Sequence, residues 1–274
     1  MINYITIERS EKMRDIFAKE EDIIIKRGIS SGANASVYKA IYNDQIMAYK
    51  EFKPGKILLN EDSERIITLA NDYDKFPDNF VLPKYIINNS GETTSYLTEL
   101  VKGKALCQLK MKSLKKKIEM LRKAKEVVSS LYDDYKIIHS ELHLGNILYD
   151  GENIFIIDFD NCSYQKHEIG EHCNFLTERY IDMNSINKNV DTYIFNVATY
   201  AMLNNRSIYD CREYILDKDY GIFNGFPKGR QICDSIAQFE ECDEYLIDTL
   251  NSVIIEEKPI QPNSIITRVL KRVI

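Results

Sequence analysis

The chain has 274 residues, 44% of them hydrophobic, and a formal net charge of −6, which allows two lobes around one cleft and a core able to fold unaided. The acidic balance excludes a general nucleic-acid binder, whose footprint is a basic domain. Residues 1–20 alternate charged and apolar groups, and no apolar run reaches the roughly 18 residues of a membrane span, so a cytoplasmic protein is expected, with the scattered cysteines (107, 162, 173, 211, 233 and 242) as free thiols.

In chain order, residues 10–20 carry a short helical pattern. An apolar strand over 22–29 then runs into Ser30-Ser31-Gly32-Ala33-Asn34-Ala35-Ser36 and out through Val37-Tyr38-Lys39-Ala40. This is strand, small-residue turn, strand, and small residues let backbone N–H groups approach a phosphate. Gln45-Ile46-Met47-Ala48-Tyr49-Lys50 is the next strand. Residues 60–70 place Ile66, Ile67 and Ala70 against Glu61, Asp62 and Glu64, a helix with acidic first turns. Strands over 79–88 and 93–98, around Asn89-Ser90-Gly91-Glu92, complete a small, mostly antiparallel sheet. A turn, Glu99-Leu100-Val101-Lys102-Gly103, follows.

Residues 108–131 form the longest periodic stretch. Leu109, Leu114, Ile118, Leu121, Val128 and Leu131 make one apolar stripe, and Lys110, Lys112, Lys115, Lys116, Lys117, Arg122, Lys123 and Lys125 are expected on a solvated face. Residues 189–203 are nearly all apolar, so that helix must be buried. Further helical patterns lie at 208–216, 231–239 and 242–255, and the last near 262–272. Cys162, His167, His172 and Cys173 have side-chain types that ligate zinc, but their spacing fits no common module, so an ordinary loop is expected there.

The stretch 137–160 organises the rest. Two short strands, 147–149 and 154–157, flank the turn Asp150-Gly151-Glu152-Asn153. A hairpin this short holds its ends rigidly, so Glu141, Asn146 and Asp158 converge on one spot. Oxygen ligands of this kind suit Mg²⁺, which takes one or two carboxylates from protein and fills its octahedron with phosphate and water.

His139-Ser140-Glu141 followed by Asn146, then Asp158-Phe159-Asp160, resembles the catalytic loop and metal-binding motif of protein kinases: H-R-D, four residues, N, then D-F-G after a hairpin. The resemblance implies an α+β, two-lobed fold. Residues 1–98 would form an antiparallel sheet with one helix, 99–103 a hinge, and 104–274 a mostly helical lobe, with ATP bound between them. It further implies that Ser30, Gly32 and Ala35 stand where the loop glycines would be and that Val37 and Ala48 contact the nucleotide. Lys50 would hold its α- and β-phosphates, fixed by Glu64 or, as the alternative, Glu61. Thr98 would be the gatekeeper, and the backbone of Glu99 and Val101 would face adenine. Asn146 and Asp158 would hold Mg²⁺, and Glu141 would orient or deprotonate the acceptor hydroxyl. An aspartate at the Asp191 position binds the catalytic-loop backbone in this family. Thr177-Glu178-Arg179-Tyr180 stands in place of the A-P-E motif, with Lys258 as partner of Glu178.

The departures matter. Ser140 replaces the arginine, Glu141 the catalytic aspartate, His143 the catalytic-loop lysine and Asp160 a glycine. His143 would face the γ-phosphate, whose field favours protonated imidazole. The function implied is an ATP-dependent phosphotransferase, a divergent serine/threonine protein kinase with a protein substrate. Two readings stay open beside it. Leu142-His143-x-Gly145-Asn146 with Asp158-x-Asp160 also resembles the aminoglycoside and choline kinase pattern. Glu141 and the glycine-poor loop fit a nucleotide-binding pseudokinase.

Overall fold

The computed structural model describes residues 15–58, 60–168, 189–240 and 242–250. The chain forms two compact units. One comprises the chain up to Lys75 together with Leu82–Leu100, the other Phe76–Val81 together with the chain from Val101 onward.

The first unit is a five-stranded antiparallel sheet of β1 (Ile24–Ser31), β2 (Ala35–Tyr42), β3 (Gln45–Phe52), β4 (Tyr85–Asn89) and β5 (Glu92–Glu99), in the order β1-β2-β3-β5-β4. Helix α1 (Asn60–Asn71) connects β3 to β4. Asn43 and Asp44 both have positive φ, 48° and 59°, the backbone that a tight hairpin turn demands and that Asn and Asp tolerate. Tyr42, Ala40, Met47, Tyr49, Ile87 and Leu97 are buried in one cluster with Ala18. Strand alternation therefore sends Ala35, Val37, Ala48 and Lys50 to the opposite face.

Two expectations change here. Residues 15–19 are not helical: Phe17 forms a parallel bridge to Ile86, and the Ala18 N–H donates to the Ile86 carbonyl at 2.9 Å. Ile16 and Ala18 are buried while Phe17 is exposed, a period of two that belongs to an extended segment. The strand expected over 79–88 is confined to Tyr85–Asn89. Pro83 has no N–H for a ladder, and Phe80 belongs to the second unit, bridged to Ile156.

In the second unit β6 (Lys104–Ala105), β7 (Ile147–Tyr149) and β8 (Ile154–Ile156) form a small antiparallel sheet. Gly103 packs closely beside it, where a Cβ would lie a tight 3.1 Å from the Tyr149 carbonyl oxygen. Helix α2 (Leu114–Asp133) starts at Ser113, whose hydroxyl accepts the Lys116 N–H, which is why the helix does not extend back to 108. Its basic residues are not all solvated as expected. Lys117 is buried and donates to the Met202 carbonyl and Asn205 Oδ1 at 2.8 and 2.6 Å, while Arg122 donates to the Leu250 carbonyl.

Helix α3 (Asn189–Asn204) is buried from Val190 to Leu203, as its composition requires. Its polar members find backbone partners: Tyr193 donates to the Ile236 carbonyl, and Asn196 bridges Glu244 and Leu246. Helices α4 (Cys211–Leu216) and α5 (Pro227–Gln238) follow, the latter beginning on a proline and ending on left-handed Phe239, then a 3-10 turn over Leu246–Leu250. Among the described residues no helix is long and apolar enough to cross a membrane.

Candidate active site

The turn between β7 and β8 is closed by Asp150, whose Oδ1 accepts the N–H groups of Glu152 and Asn153 at 2.8 and 2.7 Å; these bonds hold its carboxyl below the usual range. Beyond the strands the ladder continues, because the Ile157 N–H donates to the Asn146 carbonyl at 3.0 Å. Asn146, just before β7, thus lies beside the residue that precedes Asp158. The Asn146 amide nitrogen donates to the Glu141 carbonyl at 3.1 Å, which leaves its amide oxygen as the acceptor. The hairpin therefore brings together the loop of Glu141, the Asn146 amide and the start of Asp158-Phe159-Asp160.

The loop itself is held from below. Asp191, at the start of α3, accepts the N–H of His139 on Oδ2 at 2.6 Å and that of Ser140 on Oδ1 at 2.8 Å, as the resemblance implied. The carboxyl is buried, and desolvation pushes its pKa up to about 7 although both N–H bonds pull it down. Ser140 and Asp158 have φ of 65° and 72°, left-handed conformations that cost a non-glycine residue on the order of 1–3 kcal/mol and persist where surrounding structure over-determines them. His139 supplies part of that constraint. Its Nε2 lies 2.9 Å from the Ile157 carbonyl oxygen and its ring meets Phe159 edge-on at 4.8 Å, and Phe159 in turn packs against Phe80.

His143 differs from its expected role as a partly charged group. The Gly145 N–H donates to its Nδ1 at 3.0 Å, so that nitrogen carries no proton and Nε2 does. Burial lowers its pKa, partly offset by Asp158. Geometry and burial both favour neutral imidazole. Gly145 is needed for this contact, since a Cβ there would stand 2.8 Å from the His143 ring.

In the first unit, Val37 pairs with Lys50 and Lys39 with Ala48, with Ser30 opposite Val37. Lys50 Nζ lies 5.6 Å from the ring centroids of both Phe52 and Tyr96. The loop between β1 and β2 is tied down by more than its own turn. Ser31 and Ser36 hydroxyls meet at 3.0 Å, Gly32 N–H donates to the Ala35 carbonyl, and Lys53 donates through Nζ to Gly32 and through its backbone N–H to Asn34. Glu64 is exposed on α1, and Glu99, at the end of β5, accepts Lys84 at 2.7 Å. Thr98 pairs with Ala48.

Sequence reasoning missed Lys53 and Asn161. The Asn161 amide donates to Glu141 Oε1 at 3.3 Å, and no periodicity or motif marks either residue. Of the zinc-type side chains, Cys162 and His167 are buried; His172 and Cys173 lie outside the described residues, as do Glu178 and Lys258. Among the described residues no group of three or more His, Cys, Asp and Glu side chains is placed to hold a metal.

Comparison with known proteins agrees with this geometry. A model of the family described as "Protein kinase domain" matches residues 23–261. A probable LIM domain-containing serine/threonine-protein kinase of Dictyostelium discoideum is 23% identical over 203 residues, covering 70% of this chain and 21% of its own length. The chain thus spans about a fifth of that relative. With the catalytic-loop order preserved, the loop anchored on a buried aspartate and the family match running through both compact units, this chain belongs to the protein kinase domain family.

Proposed function

We propose that the protein is an active, divergent serine/threonine kinase that transfers the γ-phosphoryl group of ATP to a protein hydroxyl. The observation that supports this reading is the arrangement at the β7–β8 hairpin, where the Asn146 amide donates to the Glu141 carbonyl and the Asn146 carbonyl accepts the N–H of Ile157, the residue before Asp158. The donor chemistry of Asp158 and Asn146 suits Mg²⁺: one carboxylate, and an amide whose nitrogen is committed to the Glu141 carbonyl, which leaves its oxygen as the acceptor for an ion. Asn146 and Asp158 would hold the ion, which supplies charge neutralisation on the transferring phosphoryl group.

The chain's own residues do the rest. The Glu141 carboxylate accepts the proton of the attacking hydroxyl as the oxygen–phosphorus bond forms and the bond to ADP breaks. Lys50, with Val37 and Ala48 on the same sheet face, takes the phosphates, and the backbone of Ser30, Gly32 and Ala35 lines their loop. Glu64 is the proposed partner of Lys50, and the backbone of Glu99 and Val101 the adenine contact. His143 acts as a neutral brace for the catalytic loop, with its Nε2–H as the donor.

A pseudokinase remains the second reading, favoured by the glutamate at 141. Against it stands the tied loop of β1 and β2, which has exchanged glycines for fixed hydrogen bonds. The anchoring of the loop on Asp191 supports a protein kinase over an aminoglycoside or choline kinase. An assay with labelled ATP, run alone, with generic protein substrates and with amino-alcohol pools, separates the three. Label on protein is the expected result; label on amino alcohols, or nucleotide binding without transfer, overturns it.

A further inference from the structure

We infer that Asn161 is a positioning residue that holds the Glu141 carboxylate, a role that rests on the phosphotransferase reading above. Glutamate in place of aspartate adds a methylene and another rotatable bond, so its carboxylate needs an anchor to keep one position. The structure supplies one.

The segments around 138–141 and 157–163 are joined at two points. Ile138 and Ser163 form an antiparallel bridge, with the Ser163 N–H donating to the Ile138 carbonyl at 2.8 Å. His139 Nε2 meets the Ile157 carbonyl oxygen at 2.9 Å. Between these fixed points the Cys162 N–H bonds to the Phe159 carbonyl at 3.3 Å, closing a turn with Asp160 and Asn161 at its centre. Asn161 is 8% exposed. From that turn its Nδ2 donates to Glu141 Oε1 at 3.3 Å. A neutral amide is well suited to this role, because it donates to the ionised carboxylate without neutralising the charge that makes Glu141 a proton acceptor. The sequence change at 141 and the asparagine after Asp158-Phe159-Asp160 thus form one device.

The test uses the full chain. Glu141 is titrated by carbon-13 NMR of its side-chain carboxyl, assigned with Glu141→Gln, and single-turnover transfer from ATP to a generic protein acceptor is measured alongside. Asn161→Ala is expected to raise the Glu141 pKa by removing a donor to the charged form, and Asn161→Asp to raise it further through like charge. Asn161→Ala should slow transfer about tenfold, consistent with a small misplacement of a reacting group, while ATP affinity by calorimetry is unchanged. In a Glu141→Asp background the same substitution should change the rate less than about twofold, because the shorter side chain no longer reaches the amide. An active wild type whose titration and rate both ignore Asn161→Ala overturns the inference and leaves the kinase reading intact. A wild type that transfers nothing, with the titration still moved by Asn161→Ala, retains the positioning contact and overturns the kinase reading alone.

Discussion

Asp191 and His139 are 52 residues apart, yet the Asp191 carboxylate takes the His139 backbone N–H at 2.6 Å and holds the neighbouring Ser140 in a left-handed conformation through a second bond. The loop that carries Glu141 therefore takes its shape from a helix buried on every side. Side chains at Glu141, His143 and Asn146 inherit that shape.

Asp191→Ala is expected to orphan both N–H groups, at about 1–3 kcal/mol for each buried donor, and to abolish transfer. Asp191→Asn removes the titrating group and keeps one of the two acceptors. With the native pKa about 7 and the unfolded value about 3.9, the folded state binds the extra proton between them. Its contribution to stability is thus complete below about pH 4 and is lost as pH rises to about 7. Thermal melts from pH 4.5 to 8 should show the wild type losing ground relative to Asp191→Asn as pH rises. A constant difference would contradict a raised carboxyl pKa.

His143 should give the opposite slope. Its folded pKa lies below 6.5, so the unfolded chain binds more protons in that window, and stability present above pH 6.5 is lost as pH falls through it. His143→Asn, whose amide oxygen can still accept the Gly145 N–H, should lack that loss. His143→Lys offers no acceptor and is expected to lower both melting temperature and transfer at pH 8. A lysine variant as active as the wild type would remove the brace from the mechanism.

What the sequence revealed was local. The hairpin was legible because Asp150-Gly151 is a turn in its own right and the runs on either side of it are short and apolar, although the ladder extends to Ile157 through backbone alone. Helix α3 was legible from composition. Residues 15–19 were misread, although the alternation of Ile16 and Ala18 suits a strand, because the deciding partner, Ile86, is remote in sequence. Lys117 reaching Met202, Lys53 reaching Gly32 and Asn161 reaching Glu141 depend on tertiary placement. Lysine and asparagine are ordinary surface residues until their acceptors are known.

Removal of the Asp158 carboxylate should separate nucleotide from metal binding. ATP is expected to raise the melting temperature of the wild type more with Mg²⁺ than without, and Asp158→Ala to lose the Mg²⁺-dependent increment, since Asn146 carries no charge. Alanine tolerates φ 72° less readily than aspartate, so the variant is expected to be somewhat less stable on its own. The Mg²⁺ increment is therefore read against the variant's own melt without metal. An undiminished Mg²⁺ increment in Asp158→Ala would sink the metal assignment.

Glu141 decides between turnover and scaffold. Its carbonyl accepts the His143 N–H at 2.8 Å and the Asn146 amide, so the backbone at 141 is fixed independently of the side chain. Substitutions here test the carboxylate and not the fold. Glu141→Gln keeps length and removes the proposed base, and a general base contributes about 10²- to 10⁴-fold; single-turnover transfer should fall by that order while ATP affinity stays. Glu141→Asp keeps the base and shortens its reach by about 1 Å or more, a misplacement that can cost on the order of 10²-fold. In a loop adapted to glutamate, the aspartate variant is slower than wild type and the glutamine variant slower still. A faster aspartate variant would instead mark a site fallen away from the aspartate it once held, and equal rates for wild type and Glu141→Gln would take this carboxylate out of the chemistry.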